Sequence, residues 1–185
     1  MMHRQADPLK GVLIGALAGL AGGLVMDQFQ NLCSKLTEDD RHSQHAHPPR
    51  QYVGERQLEG EQQSEEEDEP ATVKAAEAIS CEVFHHELTK DERRIAGPAV
   101  HYAMSASSGM IYGAAAELTP MATAGFGLPF GAAVWAVADE ITVPLLGLSK
   151  SPTAYPLSKH LYSLASHFVY GAATEATRRL LRGMI

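Results

Sequence analysis

Glycine recurs at every fourth position of the first apolar stretch, and the same row continues into an acid and an amide: Gly11, Gly15, Gly19, Gly23, Asp27 and Asn31. Positions four apart lie one above the other on a helix, so the spacing predicts a smooth stripe that ends in a carboxylate. In water, four glycines inside a helix would cost about 4 kcal/mol relative to alanine. In a bilayer, small residues let two helices approach closely. The stripe therefore favours a membrane helix bundle with a polar group in its interior.

Acidic side chains are concentrated in one part of the chain. Residues 37–96 hold 16 of the 22 acidic and 7 of the 15 basic side chains, whereas the remainder holds 6 acidic and 8 basic ones. An acidic segment beside a nearly uncharged remainder is typical of a membrane protein with one long polar loop.

Four apolar stretches are long enough to cross a bilayer, which takes about 20 residues for a hydrocarbon core of roughly 30 Å. They cover residues 11–34, 97–118, 121–148 and 156–177. The predicted fold is therefore all-α, a four-helix transmembrane bundle, with a soluble helical bundle as the alternative. Within the third stretch, Pro129 predicts a kink and Pro144 predicts the end of the helix.

The chain is expected to divide into four parts: residues 1–36 with the N-terminus and transmembrane helix 1, a disordered acidic loop over 37–70, an amphipathic helix and linker over 71–96, and transmembrane helices 2–4 with a basic C-terminus over 97–185. The apolar spacing within 71–86 predicts a helix that lies on the membrane surface or on the bundle. Thr89 and Glu92 match a capping box that leads into the second span.

The second and fourth stretches resemble each other over twenty residues. Pro98 to Glu117 aligns without a gap with Pro156 to Glu175, and both contain the sequence Tyr-Gly-Ala-Ala. A weaker match aligns Gly15, Gly19 and Asp27 of the first stretch with Gly127, Gly131 and Asp139 of the third. Two helical hairpins related by an internal repeat would produce this pattern, and chance similarity between Ala/Gly-rich helices is the alternative.

Five carboxylates lie within the apolar stretches or at their edges, and three histidines accompany them: Asp27, Glu117, Asp139, Glu140 and Glu175, with His101, His160 and His167. A carboxylate at the centre of a membrane helix costs roughly 2.5–3.5 kcal/mol, so these groups are expected to be protonated, paired, near the headgroups or turned into the bundle. We expect Glu175 to pair with Arg178 and Arg179 as a structural group. Carboxylate and imidazole groups in an apolar interior otherwise suit a proton relay or an ion site. The alternative is that the histidines only bridge helices by hydrogen bonding or contact interfacial water.

The helix-packing candidates are the glycine row of the first span with Gly113 and Gly171. No nucleophile or phosphate-binding motif is present, so we expect no enzyme activity and no cofactor, and a membrane metal enzyme built on the three histidines is a weaker alternative. Whether His42, His45 and His47 bind a metal loosely or form a solvated tail stays open, as does pairing of Cys33 with Cys81. The expected partners are the lipid bilayer and a second copy or another membrane protein, without nucleic acid.

The segment Val143-Pro144-Leu145-Leu146-Gly147-Leu148-Ser149-Lys150-Ser151-Pro152, with Ser166-His167 and Glu175-Ala176-Thr177-Arg178-Arg179 after it, resembles the YagU-like family of bacterial inner-membrane proteins. The resemblance implies a multi-pass protein of the bacterial inner membrane that is linked to tolerance of acid. It matches His167 and Glu175 to the family's last-span pattern and supplies no mechanism. Together with the polar rows, it leads to the expectation of proton or small-ion handling. A scaffold or accessory subunit that docks a partner through small-residue helix faces is the alternative.

Overall fold

The protein is all-helical in the residues that the structure describes. A computed structural model describes residues 7–44 and 69–184, with side chains from 7 to 36 and from 69 to 184. The helices are α1, Pro8–Gln44; α2, Ala71–Ile79, which continues as a π-helical turn over Ser80–Phe84; α3, Lys90–Leu118; α4, Leu128–Leu145; and α5, Leu157–Met184. Short 3₁₀ turns cover Pro120–Thr123 and Pro152–Ala154.

Two of these helices are long and apolar enough to cross a membrane, by length and composition. They are the segment Pro8–Leu36 of α1 and the whole of α4, Leu128–Leu145. In α4 only 6% of the segment is buried within the protein. A core helix of a soluble protein would be mostly buried, so this exposure of an apolar helix is consistent with a membrane environment.

Two features of the helices differ from those that the sequence predicts. Helix α1 continues to Gln44 instead of giving way to a loop at residue 37, because no proline or glycine interrupts the chain before Pro48. The rest of the acidic segment, residues 45–68, lies outside the described residues. The predicted kink at Pro129 is wrong, because Gly127 (φ 80°) begins the helix just before it and Pro129 occupies the first turn, where its missing N–H is not needed. Pro144 lies one residue before the end of α4.

The chain forms two compact units, residues 1–30 with 99–185, and residues 31–98. In the first unit, the glycine row of α1 packs directly on α3. A Cβ on Gly15 would lie 2.2 Å from the carbonyl oxygen of Gly109, and one on Gly19 would lie 2.2 Å from that of Ser105. A Cβ on Gly11 would likewise lie 2.6 Å from the carbonyl oxygen of Gly113. The two backbones therefore touch at three successive turns, and the helices run antiparallel.

Helices α4 and α5 of the same unit make a second contact of this kind. A Cβ on Gly127 would lie 2.1 Å from the carbonyl oxygen of Gly171, and one on Gly131 would lie 2.1 Å from that of His167. Gly127 also has a positive φ, which glycine adopts without strain. Glycine is thus required at this position both by its backbone conformation and by its neighbour.

The interior between the two hairpins holds polar side chains together with aromatic rings. Tyr112 stacks on Phe130 at a centroid distance of 4.3 Å, and Phe130 contacts Tyr170. Ser105, Ser166, His167, Thr174 and Glu175 are buried, whereas the leucines on the other faces of α1 are exposed, among them Leu9, Leu13, Leu17 and Leu24. This arrangement is the reverse of a water-soluble domain, in which leucine belongs inside.

The second unit is held by ion pairs and a helix cap. Arg93 pairs with Glu69 and with Glu77, each at 3.1 Å. The predicted capping box is confirmed: the backbone N–H of Thr89 donates to Glu92 Oε2 at 2.8 Å, and that of Glu92 lies 3.4 Å from Thr89 Oγ1. Helix α2 ends at the left-handed residue His85.

Substitution of Gly15 by alanine should lower the free energy of unfolding by about 1–3 kcal/mol, because the added methyl group would overlap the backbone of α3. Gly183 is the matched control, since a Cβ there meets nothing within 4 Å. Unfolding of purified protein in detergent with increasing SDS measures both variants. Equal midpoints for Gly15→Ala and Gly183→Ala would contradict the close contact.

The carboxyl group of Glu92 should titrate far below its ordinary pKa of 4.5. Hydrogen bonds from the backbone and the side chain of Thr89 lower its pKa to about 2. The cap therefore stabilises the helix start above pH 4.5 and loses this contribution as the pH falls towards 2. In Thr89→Ala the pKa should rise but stay below 4.5, because the backbone N–H remains. Carbon-13 NMR of labelled glutamate measures it, and an unshifted pKa in the parent chain would contradict the cap.

Candidate functional site

At one end of the first unit, carboxylates are paired with arginines. Glu175 is fully buried and accepts hydrogen bonds from the guanidinium groups of Arg178 at 2.7 and 2.9 Å and of Arg179 at 2.6 Å. The hydroxyl group of Tyr112 donates to the same carboxylate at 2.8 Å. Because two fixed cations surround this carboxylate, it is held as an anion. The group is structural, as the sequence predicts.

The second carboxylate at this end is Glu117. The guanidinium group of Arg182 on α5 donates to both carboxylate oxygens of Glu117, at 2.7 and 2.8 Å. The Glu117 side chain is 9% exposed. Such a bidentate pair fixes the ends of α3 and α5 against each other. Glu117 was a proton-handling candidate from the sequence, and the structure gives it a permanently charged partner.

At the opposite end of the bundle, Asp27 meets an imidazole and a phenol of α3. It lies about 24 Å beyond Gly11 along α1, by the rise of 1.5 Å per residue. The hydroxyl group of Tyr102 donates to Asp27 Oδ2, and His101 Nε2 lies 3.2 Å from Oδ1 without the alignment of a hydrogen bond. The side chains of Asp27 and His101 are 29% and 25% exposed, although the Nε2 atom of His101, which faces Asp27, is itself buried.

The α4–α5 hairpin has acids at the corresponding end. Asp139 accepts a hydrogen bond from the Ser163 hydroxyl group, and its Oδ2 lies 3.8 Å from His167 Nδ1. That nitrogen lies 2.9 Å from the carbonyl oxygen of Ser163 and therefore carries the hydrogen. His167 is buried, whereas Asp139 is 38% exposed. His167 therefore lies near Asp139 but makes its hydrogen bond to the Ser163 carbonyl oxygen instead of to the acid.

Glu140 forms the closest carboxylate–imidazole contact of the three sites. His160 Nδ1 lies 2.7 Å from Glu140 Oε1, and His160 Nε2 lies 2.9 Å from the carbonyl oxygen of Pro152. Glu140 follows Asp139 within the π-helical turn Ala136–Thr142. This wider turn lets two consecutive acids both contact α5, and π-helical turns are frequent at functional sites.

The predicted candidates therefore separate into two sets. Glu117 and Glu175 are paired with guanidinium groups, which do not release protons in proteins. Asp27 and Glu140 lie against imidazoles, which can bind and release a proton, and Asp27 and Asp139 accept hydrogen bonds from neutral hydroxyl groups. Only the second set has the chemistry for binding and releasing protons.

The other sequence-based candidates give no site within the described parts of the chain. Residues 7–36 and 69–184 contain no group of three or more His, Cys, Asp or Glu side chains that could hold a metal ion. Cys33 and Cys81 are not joined by a disulfide. The side chain of His42 is not described, and His45 and His47 lie outside the described residues.

Sequence reasoning missed the hydroxyl partners of these acids and the pairing of Glu117 with Arg182. Tyr102 and Ser163 bind Asp27 and Asp139, and Tyr112 binds Glu175. The repeat had already aligned Ser105 with Ser163 and Tyr112 with Tyr170, which was a signal that these hydroxyl groups lie on an inward face. Arg182 lies one to two turns beyond Glu175, but no pattern connects it to Glu117.

A family model described as "Protein of unknown function (DUF1440)" matches residues 45–176, which is more than half of the chain. The match includes α3, α4 and most of α5 and begins after Asp27 and the glycine row of α1. No curated protein and no solved structure matches the chain.

Substitution of Glu175 by glutamine should be strongly destabilising, by about 3–5 kcal/mol, because it leaves buried guanidinium charge without its anion. Arg179→Gln is the control: its side chain is 51% exposed, so its loss should cost no more than about 1 kcal/mol. SDS unfolding in detergent micelles compares the two variants. A Glu175→Gln variant as stable as the parent protein would show that the buried cluster is not structural.

Proposed function

The chain belongs to the family of proteins of unknown function DUF1440, and we propose that it is a four-span integral membrane protein that takes up and releases protons at its carboxylate–histidine sites. The observation that carries this proposal is the separation of the acids. Those at one end are neutralised by arginine, and those at the other end have imidazole or hydroxyl partners and partly exposed side chains.

The distribution of apolar side chains supports the membrane environment. Leu13 and Leu17 on α1 and Val137 and Ile141 on α4 are more than half exposed, while serine, threonine and glutamate lie in the interior beside apolar and aromatic residues. In water this arrangement would expose apolar surface and bury polar groups, both at a cost. In lipid, leucine faces the solvent it prefers and internal hydrogen bonds satisfy the polar groups.

Four spans and an internal repeat are supported by the two hairpin contacts. Gly11 and Gly15 meet Gly113 and Gly109, and at the other contact Gly127 and Gly131 meet Gly171 and His167. In both hairpins an acid follows the glycines on the first helix and meets a polar residue of the second. In the structure, Gly11 has the position in the first hairpin that Gly127 has in the second. The sequence alignment instead pairs Gly15 with Gly127, so the two correspondences differ by one helical turn. Helices α3 and α5 would then span the membrane beside α1 and α4, despite their lower hydropathy.

Acid tolerance is the physiological setting that we propose, on the resemblance to YagU-like inner-membrane proteins. Carboxylate and imidazole groups fit this setting because both can bind and release protons. The inner membrane of a bacterium is the proposed location. Lipid is the proposed partner.

Proton uptake into proteoliposomes tests the proposal. Asp27→Asn and Glu140→Gln should each reduce a pH-driven proton flux, and the triple variant that also carries Asp139→Asn should reduce it to that of empty liposomes, because no amide can ionise. Ser107→Ala is the control: this exposed hydroxyl group bonds only within its own helix, to the Ala103 carbonyl group, and its loss should leave the flux unchanged.

A flux that survives in the triple variant would overturn proton handling at these sites. The scaffold alternative would then become the better account, provided that a membrane partner co-purifies. The structure offers it no support from the glycine faces, because Gly11, Gly15 and Gly19 are covered by α3 of the same chain.

A further inference from the structure

His160 connects helix α4 to the loop that follows it. Its Nδ1 atom lies 2.7 Å from Glu140 Oε1, and its Nε2 atom lies 2.9 Å from the carbonyl oxygen of Pro152. Pro152 begins the 3₁₀ turn Pro152–Ala154 of the loop between α4 and α5. One ring therefore joins three parts of the chain: the π-helical turn of α4, the first turn of α5 and the loop between them.

Both hydrogen bonds can exist only while the Glu140–His160 pair holds an extra proton. The carbonyl oxygen of Pro152 only accepts, so Nε2 must carry a hydrogen. The contact at Nδ1 then needs a second hydrogen, either on Nδ1 of an imidazolium or on the Glu140 carboxyl group. If Glu140 is ionised and the imidazole is neutral, the ring carries a single N–H hydrogen. That hydrogen can reach only one of the two acceptors, Glu140 Oε1 or the Pro152 oxygen.

The loss of this proton should break the contact to the loop rather than the contact to Glu140. A hydrogen bond to a carboxylate is about twice as strong as one to a neutral carbonyl group. The neutral ring therefore keeps its hydrogen on Nδ1, where it faces Glu140. Its Nε2 lone pair then faces the oxygen of Pro152, and two acceptors 2.9 Å apart repel each other.

We propose that Glu140, His160 and the Pro152 carbonyl group form a proton-dependent latch, which holds the α4–α5 loop closed in acid and releases it when the pair loses its proton. The closed loop is stabilised below the apparent pKa of the pair and loses this stabilisation as the pH rises through it. The pKa belongs to the pair and not to either residue.

The other groups that face His160 are few and leave this proton balance in place. The Tyr155 and His160 rings meet edge to face, with their centroids 6.5 Å apart. Lys159 Nζ lies 4.4 Å from the centroid of the Tyr155 ring. The backbone N–H of Lys150 donates to the Tyr155 hydroxyl group at 3.3 Å. Asp139, beside Glu140, is bound by Ser163 on α5. The backbone N–H of Tyr155 also donates to the Pro152 oxygen at 3.2 Å, within the 3₁₀ turn, so this oxygen has one donor from the loop and one from His160. The contacts named here place no second hydrogen at Nδ1.

The latch deepens the proposed function by naming a regulation of the Glu140 site, and its biological meaning rests on that function. Its test requires no flux. A failed latch therefore leaves the flux results standing, and absent flux leaves the measured loop mobility standing.

A nitroxide spin label on the loop measures the latch directly. Ala154→Cys carries the label on the exposed face of the 3₁₀ turn, in a chain whose own thiols are removed by Cys33→Ser and Cys81→Ser. The protein is placed in lipid nanodiscs, and its spectrum is recorded from pH 4.5 to pH 8.5. We expect an immobilised label in acid and a mobile one above a single midpoint, with the immobile-to-mobile ratio falling about tenfold per pH unit beyond it, as for one proton.

Two substitutions in the same contact should have opposite effects. Glu140→Gln should keep the loop immobile at every pH, because the amide donates to the Nδ1 lone pair of a neutral ring whose Nε2–H still holds Pro152. His160→Ala should leave the loop mobile at every pH, because it removes the link. A mere loss of packing would make the loop mobile in both variants.

His101→Ala is the matched control, since it removes the corresponding imidazole from the α1–α3 hairpin and should leave the midpoint unchanged. A pH-independent spectrum in the parent chain would overturn the latch. So would a mobile loop in Glu140→Gln, which tests the proposal even if His160→Ala does not fold. A midpoint shifted or lost in His101→Ala would assign the response to general loosening and overturn it as well.

Discussion

Backbone-to-backbone contact without intervening side chains is the constraint on which the rest of the first unit depends. At Gly15 and Gly131 a single methyl group would overlap a carbonyl oxygen of the neighbouring helix. Two helices can approach this closely only where the residue is very small. The approach then adds dispersion contacts between the backbones, and no long side chain loses its conformational freedom. Because the helices are held this closely, side chains on either side of the glycine row have fixed partners across the hairpin.

The glycine contacts determine where the acids lie. Asp27 follows the glycine row of α1 and reaches α3, and Asp139 and Glu140 follow the glycines of α4 and reach α5. Glu117 and Glu175 lie at the other end of each hairpin, next to Gly11 and Gly127, respectively. The bundle thus carries acids at both ends, and the chemistry of their partners distinguishes them. Guanidinium fixes a carboxylate as an anion, whereas imidazole shares a proton with it.

Much of this could be predicted from the sequence, and the failures have physical causes. The glycine period is a property of one helix, and the pairing of Glu175 with Arg178 and Arg179 and the Thr89–Glu92 cap join residues only three or four positions apart. The third apolar stretch was placed too early because apolar composition does not separate the turn around Gly125 from the helix that begins at Leu128. The π-helical turn that brings Asp139 and Glu140 onto one neighbour has no signature in residue type.

By itself the sequence determined that the chain is helical, that its helices pack through glycine and that carboxylates and imidazoles lie among apolar residues. Residue type and period are enough for this, because both act along a single helix. Only the tertiary structure decided which acid meets which base. That choice depends on the register between helices, and a shift of one residue would turn His160 away from Glu140 and Arg182 away from Glu117.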